Sequence, residues 1–121
     1  PAVKGLSFGD GFALAAMRGS VSNDAMYYDA DGTVRTKSNH NGGINGGITN
    51  GMPVLFRTVI KAAASIGKEQ DTVDTDDKKN AKLIIKGRHD PCIVQRAVPV
   101  IENAAAWTIL DILLTQGGRY T

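Results

Sequence analysis

Residues 42–61 read Gly-Gly-Ile-Asn-Gly-Gly-Ile-Thr-Asn-Gly-Met-Pro-Val-Leu-Phe-Arg-Thr-Val-Ile-Lys, a glycine-rich segment that runs directly into an apolar one. The apolar part, residues 52–61, predicts a strand. Asn50-Gly51 favours the primed turn that joins antiparallel strands, so residues 44–48 are predicted to pair with residues 54–60. Glycine in such a strand permits close approach by another backbone or by a flat ligand. This stretch therefore predicts antiparallel sheet.

The chain before this stretch predicts a strand, a short helix and a polar excursion. Val3–Phe8 alternates apolar and polar residues, which is typical of a half-buried strand. Asp10 can cap a helix over residues 12–17, and Gly19 stands where a helix usually closes. Residues 20–41 are polar and predict a surface excursion or a weak hairpin. The residues available for that hairpin are Tyr27, Tyr28 and Val34.

The chain after this stretch predicts an acidic surface loop, a strand and a long helix. The loop covers residues 62–79 and the strand residues 81–86. In the helix, residues 97–116, thirteen of the twenty residues are apolar and Pro99 suits the first turn. A helix with so little polar surface is expected to be buried on several sides, against another subunit or a missing half of the protein. The predicted fold class is α+β, an antiparallel sheet packed on helices.

Composition limits the classes of function. The length of 121 residues fits a single domain over residues 1–121. The net charge of only +2 argues against a nucleic-acid partner. Its 42% hydrophobic residues predict a real core. One cysteine excludes an intrachain disulfide, and a reducing compartment is expected. No apolar run approaches the length of a bilayer span, so we expect a cytoplasmic protein with no membrane partner, cut from something longer.

Several motifs point away from particular sites. The glycine cluster precedes a strand rather than a helix, and Met52-Pro53 follows it, so neither a dinucleotide fingerprint nor a Walker loop is present. A glycine-rich hairpin without a ligand is the default interpretation from composition. His40 is expected to lie in a flexible polar run. His40 and His89 are too few to make a metal site without Asp or Cys, so no metal is expected. Cys92 is expected to be a small buried thiol.

Arg88-His89-Asp90-Pro91 is the densest ionisable cluster, at a strand end where sites are often built. A solvated aspartate turn and a functional site are equally good interpretations of it. The apolar neighbours Ile84-Ile85 and Ile93-Val94 are expected to desolvate these charges if the cluster points inward.

Residues 87–94, Gly-Arg-His-Asp-Pro-Cys-Ile-Val, and residues 96–102, Arg-Ala-Val-Pro-Val-Ile-Glu, resemble the C-terminal signature of the chorismate synthase family. Further segments are similar in the family's order. They are residues 1–5, 9–12, 17–20, 42–51 and 61–66. The resemblance implies a lyase of the shikimate pathway and of aromatic amino acid biosynthesis, and it covers nearly the whole chain as a C-terminal fragment.

The resemblance implies conversion of 5-enolpyruvylshikimate 3-phosphate to chorismate by elimination of phosphate, with reduced FMN as cofactor. It also implies helices between antiparallel sheets in a homotetramer, and an N-terminal half that holds the substrate and is missing here. Its cofactor-binding residues fall on Pro1, Ala2, Gly46, Lys61, Ala62, Ala63, Ala64, Ser65 and Arg88. Its catalytic residues fall on Asp90, as acid or base near the flavin, and Arg88. The fragment alone is expected to be inactive. The alternative is a flavin-binding or assembly module without catalysis.

Overall fold

The structure of the chain is a computed structural model that describes residues 2–89 and 92–116. The chain divides into two compact units, Pro1–Lys61 and Ala62–Thr121, and each is described by itself. The described residues form small antiparallel sheets and a long helix, so the α+β class is confirmed at that level. The arrangement of helices between sheets and the single domain over residues 1–121 stay predictions.

In chain order the described elements are β1 (Val3–Phe8), a 3₁₀ helix (Gly11–Ala16), α1 (Gly19–Ser22), β2 (Met26–Tyr28), β3 (Val34–Thr36), β4 (Ile44–Asn45), β5 (Ile48–Thr49), β6 (Phe56–Ile60), β7 (Gln70–Asp74), β8 (Lys79–Leu83) and α2 (Val94–Gln116).

The predicted first strand is confirmed, and it pairs with β6. The ladder is antiparallel and runs from Val3 opposite Ile60 to Phe8 opposite Phe56. The two phenyl rings at its end have centroids 6.2 Å apart and planes tilted by 46°, within the favourable range for aromatic pairs. β6 is shorter than the predicted strand over residues 52–61, because its ladder begins only where β1 is available as a partner.

The predicted pairing of residues 44–48 with residues 54–60 is wrong. β4 pairs with β5 instead, with Ile44 opposite Thr49. The two residues between these strands are Gly46 and Gly47, with φ of +58° and +80°. Two successive positive φ angles match the primed turn that suits the twist of a hairpin. Because Gly46-Gly47 already closes a hairpin, β6 is free to pair with β1.

Three buried glycines lie at the centre of the first unit: Gly9, Gly42 and Gly43. A Cβ at Gly42 would lie 2.3 Å from the Gly9 nitrogen, and a Cβ at Gly9 would lie 1.9 Å from the His40 carbonyl oxygen. The close approach lets the Gly9 N–H donate to the Leu55 carbonyl at 2.9 Å. The prediction that glycine here permits close backbone approach is confirmed.

The first predicted helix forms as a 3₁₀ helix displaced by one residue from the predicted 12–17. Asp10 precedes it but makes no capping hydrogen bond with its side chain, because its carboxylate contacts His40 Nδ1 at 2.5 Å. Gly19 begins α1 instead of closing the first helix. The predicted cap and the predicted stop are therefore both wrong.

The weak hairpin is confirmed as β2 and β3, with Tyr28 opposite Val34. Asp29 organises its turn, since its Oδ1 accepts the Thr33 N–H at 2.9 Å and its Oδ2 accepts Arg35 Nε at 3.1 Å. The backbone hydrogen bond from Thr33, followed by the bond from Arg35, holds the pKa of Asp29 below its ordinary value.

The prediction of a loop over residues 62–79 is wrong for its second part, which contains β7. β7 pairs antiparallel with β8, and Asp71 lies opposite Lys82. The Lys82 ammonium contacts the Asp71 carboxylate and lies 3.7 Å from a Glu69 carboxylate oxygen. Opposite charges across the ladder favour a pairing that aspartate-rich sequence otherwise disfavours. β8 overlaps only the first half of the strand predicted over residues 81–86.

The long C-terminal helix is confirmed, but it begins earlier than residue 97. α2 begins at Val94, so Pro99 lies inside the helix and not in its first turn. Proline lacks the N–H that would bond to the carbonyl of Gln95, four residues before it, so the start of the helix is short of one ladder bond. The Asn103 side chain donates to the Pro99 carbonyl at 2.6 Å.

The apolar surface of α2 is exposed rather than buried in this chain, with Trp107 76% and Leu114 72% exposed. Within the described residues no hydrophobic side chain is buried, so the expectation of a complete core in this chain is wrong there. By length and mean hydropathy alone α2 could cross a membrane, which corrects the expectation that no apolar run is long enough. The core helix of a soluble protein meets the same criterion.

Candidate functional site

Two of the residues that the resemblance assigns to the flavin meet at the end of the ladder between β1 and β6. The Lys61 N–H donates to the Ala2 carbonyl at 2.8 Å, which continues the ladder beyond the last pair of β residues. Lys61 is exposed, and no carboxylate of the described residues forms an ion pair with it. Pro1, assigned to the same site, lies outside the described residues.

Gly46 lies in the turn between β4 and β5, and its positive φ alone explains why glycine stands there. A Cβ at this position would meet no atom within 4 Å. The backbone is thus open on the side from which a flat ring could approach, although no protein atom requires the glycine for close packing.

Residues 62–69 have no regular secondary structure and are held by side-chain hydrogen bonds within the second unit. Ser65 Oγ lies 3.0 Å from His89 Nδ1, and His89 Nε2 lies 2.9 Å from the Ile85 carbonyl oxygen. The Gln70 amide donates to the Ala64 carbonyl at 3.5 Å. The other assigned residues of this segment are Ala62 and Ala63. The structure thus places Ser65 against the residue that follows Arg88.

The cluster at residues 88–91 is less enclosed than its sequence suggests. Arg88 is exposed, and so are its apolar neighbours Ile84 and Val94. Desolvation is expected only for a cluster that points inward, and at Arg88 that condition is not met in this chain. Asp90, the assigned acid or base, lies outside the described residues, as does Pro91.

Sequence reasoning missed a cluster around His40 in the first unit. The His40 ring contacts Asp10, and its backbone N–H donates to Asp24 Oδ1 at 2.8 Å. The imidazole and the Asp10 carboxylate are only 24% and 32% exposed. His40 is thus held in place, not part of a flexible run. Its contacts span 30 and 16 positions in sequence, beyond the reach of any local pattern.

Asp24 supports this cluster from the other side. Its carboxylate accepts the Ser38 hydroxyl at 2.8 Å, the His40 N–H at 2.8 Å and the Asn41 N–H at 2.9 Å. Burial raises the pKa of Asp24, but the hydrogen bonds from Asn41, Ser38 and His40 together outweigh burial and leave the pKa below its ordinary value. The ionised form is the one that the fold stabilises.

Cys92 is exposed, so the prediction of a buried thiol is wrong. Its sulfur accepts the Val94 N–H at 3.4 Å, which places it at the start of α2. In the part of the chain that the structure describes, no group of three or more His, Cys, Asp or Glu side chains could hold a metal ion. The expectation that the protein uses no metal stays a prediction.

Comparison with known proteins shows which family this sequence resembles. The family model for chorismate synthase matches residues 1–114. The chorismate synthase of Crocosphaera subtropica is 47% identical over 119 residues, 98% of this chain and 32% of the relative. That of Korarchaeum cryptofilum is 49% identical over 114 residues, 94% of this chain and 31% of the relative. The chloroplastic chorismate synthase of Capnoides sempervirens is 47% identical over 116 residues, which are 96% of this chain and 26% of the relative.

A crystal structure of chorismate synthase shares 41% identity with this chain, covers 50% of it and 18% of the solved chain, and has a TM-score of 0.47. The chain spans about a third of the length of the relatives that it matches. Since the family model covers almost all of its residues, the chain belongs to the chorismate synthase family.

Proposed function

We propose that this chain is the C-terminal, FMN-binding part of a chorismate synthase that eliminates phosphate from 5-enolpyruvylshikimate 3-phosphate to give chorismate. The match of the family model to residues 1–114 carries this proposal. Because the chain spans about a third of its relatives, an N-terminal part of the same enzyme supplies the rest of the substrate site, and the chain alone is inactive.

The residues assigned to FMN suit a phosphate-bearing ligand. Lys61, Ser65 and Arg88 are exposed and offer an ammonium, a hydroxyl and a guanidinium. No carboxylate of the described residues forms an ion pair with either cation, so both are available to a phosphate. Lys61 belongs to the first unit, and Ser65 and Arg88 belong to the second.

The remaining assigned residues are small and suit the flat part of the cofactor. They are Pro1, Ala2, Gly46, Ala62, Ala63 and Ala64. Reduced FMN, when bound, supplies an electron-rich ring system to an elimination that involves no net redox change. The positive charge of Arg88 stabilises the departing phosphate, and Asp90 accepts and returns a proton.

Lys61→Met in the full-length enzyme tests the cofactor site. Loss of one charge-assisted hydrogen bond to the FMN phosphate is expected to weaken FMN binding by about one to two decades, from roughly 1.5–3 kcal/mol. Flavin fluorescence quenching measures the affinity. Lys68→Met is the matched control, since Lys68 is an exposed lysine within residues 62–69 and outside the assigned set. Unchanged FMN affinity in the Lys61 variant contradicts the assignment.

Asp90→Asn in the full-length enzyme tests the chemistry. A positioned acid or base contributes about 10²–10⁴-fold, so turnover is expected to fall by that factor while FMN and substrate affinity stay nearly unchanged. Single-turnover flavin spectroscopy separates the chemical step from binding. Asp76→Asn, an exposed aspartate remote in sequence, is the control. A wild-type rate in the Asp90 variant contradicts the proposed acid or base role and leaves Asp90 with a role in forming the turn.

We place the full-length enzyme in the cytoplasm as a homotetramer, with neither nucleic acid nor membrane as a partner. A flavin-binding or assembly module without catalysis is the second candidate, favoured by the exposed apolar surface of α2. The length of the parent open reading frame separates the two, since only the enzyme needs an upstream half rich in Arg and His.

A further inference from the structure

His89 is the link between the proposed flavin loop and the segment that carries Arg88. Its imidazole bonds to Ser65 Oγ at 3.0 Å through Nδ1 and to the Ile85 carbonyl at 2.9 Å through Nε2. The ring also lies 3.9 Å from the Cβ position of Gly67, so the loop backbone packs beside it. Residues 62–69 have no regular secondary structure, and the hydrogen bond to His89 restrains the Ser65 side chain.

The partners of His89 determine the direction of its hydrogen bonds. A backbone carbonyl can only accept, so Nε2 carries the hydrogen that bonds to Ile85. In the neutral imidazole, Nδ1 then has a lone pair, and the Ser65 hydroxyl donates its only hydrogen to that lone pair. Ser65 in this state can accept a hydrogen bond from a ligand but cannot donate one.

Phosphate oxygens are acceptors, so they require Ser65 in the opposite orientation. When a proton from solvent binds to Nδ1, the imidazolium donates to Ser65 Oγ. The Ser65 hydrogen is then free to turn toward a phosphate oxygen. One proton is taken up, no covalent bond to carbon, oxygen or phosphorus changes, and the bond to Ile85 is kept.

We propose that His89 positions the Ser65 hydroxyl, so that binding of the FMN phosphate by Ser65 is linked to uptake of one proton by His89. This inference rests on the proposed function, in which Ser65 binds the cofactor phosphate. His89 is a positioning residue, because it acts on the ligand through Ser65.

Among the described residues, no titratable side chain forms a hydrogen bond with the His89 ring. In the part of the chain that the structure describes, the ring bonds to a hydroxyl and a carbonyl and lies beside the Gly67 backbone, and none of these groups titrates near neutrality. The nearest charged residues on the same segment are Lys86 and Arg88, and Lys68 follows Gly67 on the loop; Asp90 lies outside the described residues. An incoming phosphate adds the negative charge that favours an imidazolium.

The test measures FMN affinity of the full-length enzyme and its Ser65→Ala variant from about pH 6 to about pH 8.5, the range in which imidazole titrates. Comparing the two proteins at each pH cancels the titration of the FMN phosphate itself. Ser65 is exposed, so the substitution leaves no buried cavity. The advantage of wild type over Ser65→Ala is expected to be roughly tenfold at the low end and to disappear at the high end.

His89→Gln removes the proton acceptor, and in that background the Ser65 advantage is expected to lose its pH dependence. Riboflavin, which has no phosphate, is expected to show no difference between wild type and Ser65→Ala at any pH. An equal Ser65 advantage at both ends of the pH range overturns the proposed linkage while leaving FMN binding intact. Failure of the wild-type enzyme to bind FMN overturns the proposed function and the linkage together.

Discussion

The Asp24 carboxylate holds the polar segment of residues 38–41 in place. Three donors from residues 38–41 converge on it, and their combined effect keeps its pKa below the ordinary value of 3.8. A carboxyl whose pKa is lower in the folded state stabilises the fold above the unfolded pKa. That stability is lost as the pH falls through the folded value.

Asp24→Asn is expected to reduce the free energy of unfolding by about 1–3 kcal/mol near neutral pH, because an amide leaves at least one of the three donors without an acceptor. The difference from wild type should shrink as the pH falls below 3.8, where the wild-type carboxyl also becomes protonated. Chemical denaturation of both proteins near neutral pH and below pH 3.8 measures the difference in the free energy of unfolding. Asp31→Asn, an exposed aspartate in the same unit, should change little. A deficit that is independent of pH contradicts the assigned role of the charge.

At the scale of elements, close backbone contact between glycines holds the first unit together. Gly42 has a φ of +66°, and an added Cβ would lie 2.3 Å from the Gly9 nitrogen and 2.6 Å from the Leu55 carbonyl oxygen. Neither neighbour is the end of a flexible side chain. The Leu55 and Gly42 backbones are also joined by a hydrogen bond of 3.0 Å, so they cannot separate without breaking it.

Gly42→Ala is therefore expected to destabilise the protein by roughly 2–5 kcal/mol, from the left-handed backbone and the steric overlap together. Gly32→Ala is the matched control, because Gly32 has a φ of +74° and nothing within 4 Å of its Cβ position. Its cost should be only the backbone part, about 1–2 kcal/mol. Thermal unfolding of the two variants compares them. Equal losses at both positions contradict a steric role for Gly42.

At the scale of the whole molecule, the exposed apolar surface of α2 predicts association. Trp107, Leu113 and Leu114 lie on this helix and are each more than half exposed. Apolar patches of this kind drive contact with another chain. The chain by itself is expected to self-associate and to bind FMN weakly or not at all.

Light scattering of the isolated chain measures the association, and the Trp107→Glu, Leu114→Lys double variant should shift it toward monomer. Gln95→Lys adds a charge at an exposed polar position of the same helix and should leave the association unchanged. A monodisperse monomer of the wild-type chain, or submicromolar FMN affinity by fluorescence quenching, contradicts this prediction.

Local patterns predicted the elements better than their pairing. The alternation in Val3–Phe8 and the apolar run before Gln116 are visible in the sequence, and both elements form, although α2 begins at Val94 and not at residue 97. The acidic segment that forms β7 does not look like a strand in the sequence, because the lysine opposite Asp71 comes from the other side of the turn. The motif at residues 87–94 predicted the family, which the match to residues 1–114 confirms.

The sequence by itself determined the family, the α+β class and the residues proposed for FMN, because these depend on residue identity and short-range periodicity. The tertiary structure alone decided that β6 pairs with β1, that Asp10 and Asp24 hold His40, and that His89 bonds to Ser65. Each of these contacts joins positions far apart in the chain. Their formation depends on the three-dimensional path of the backbone, and no window of neighbouring residues contains both partners.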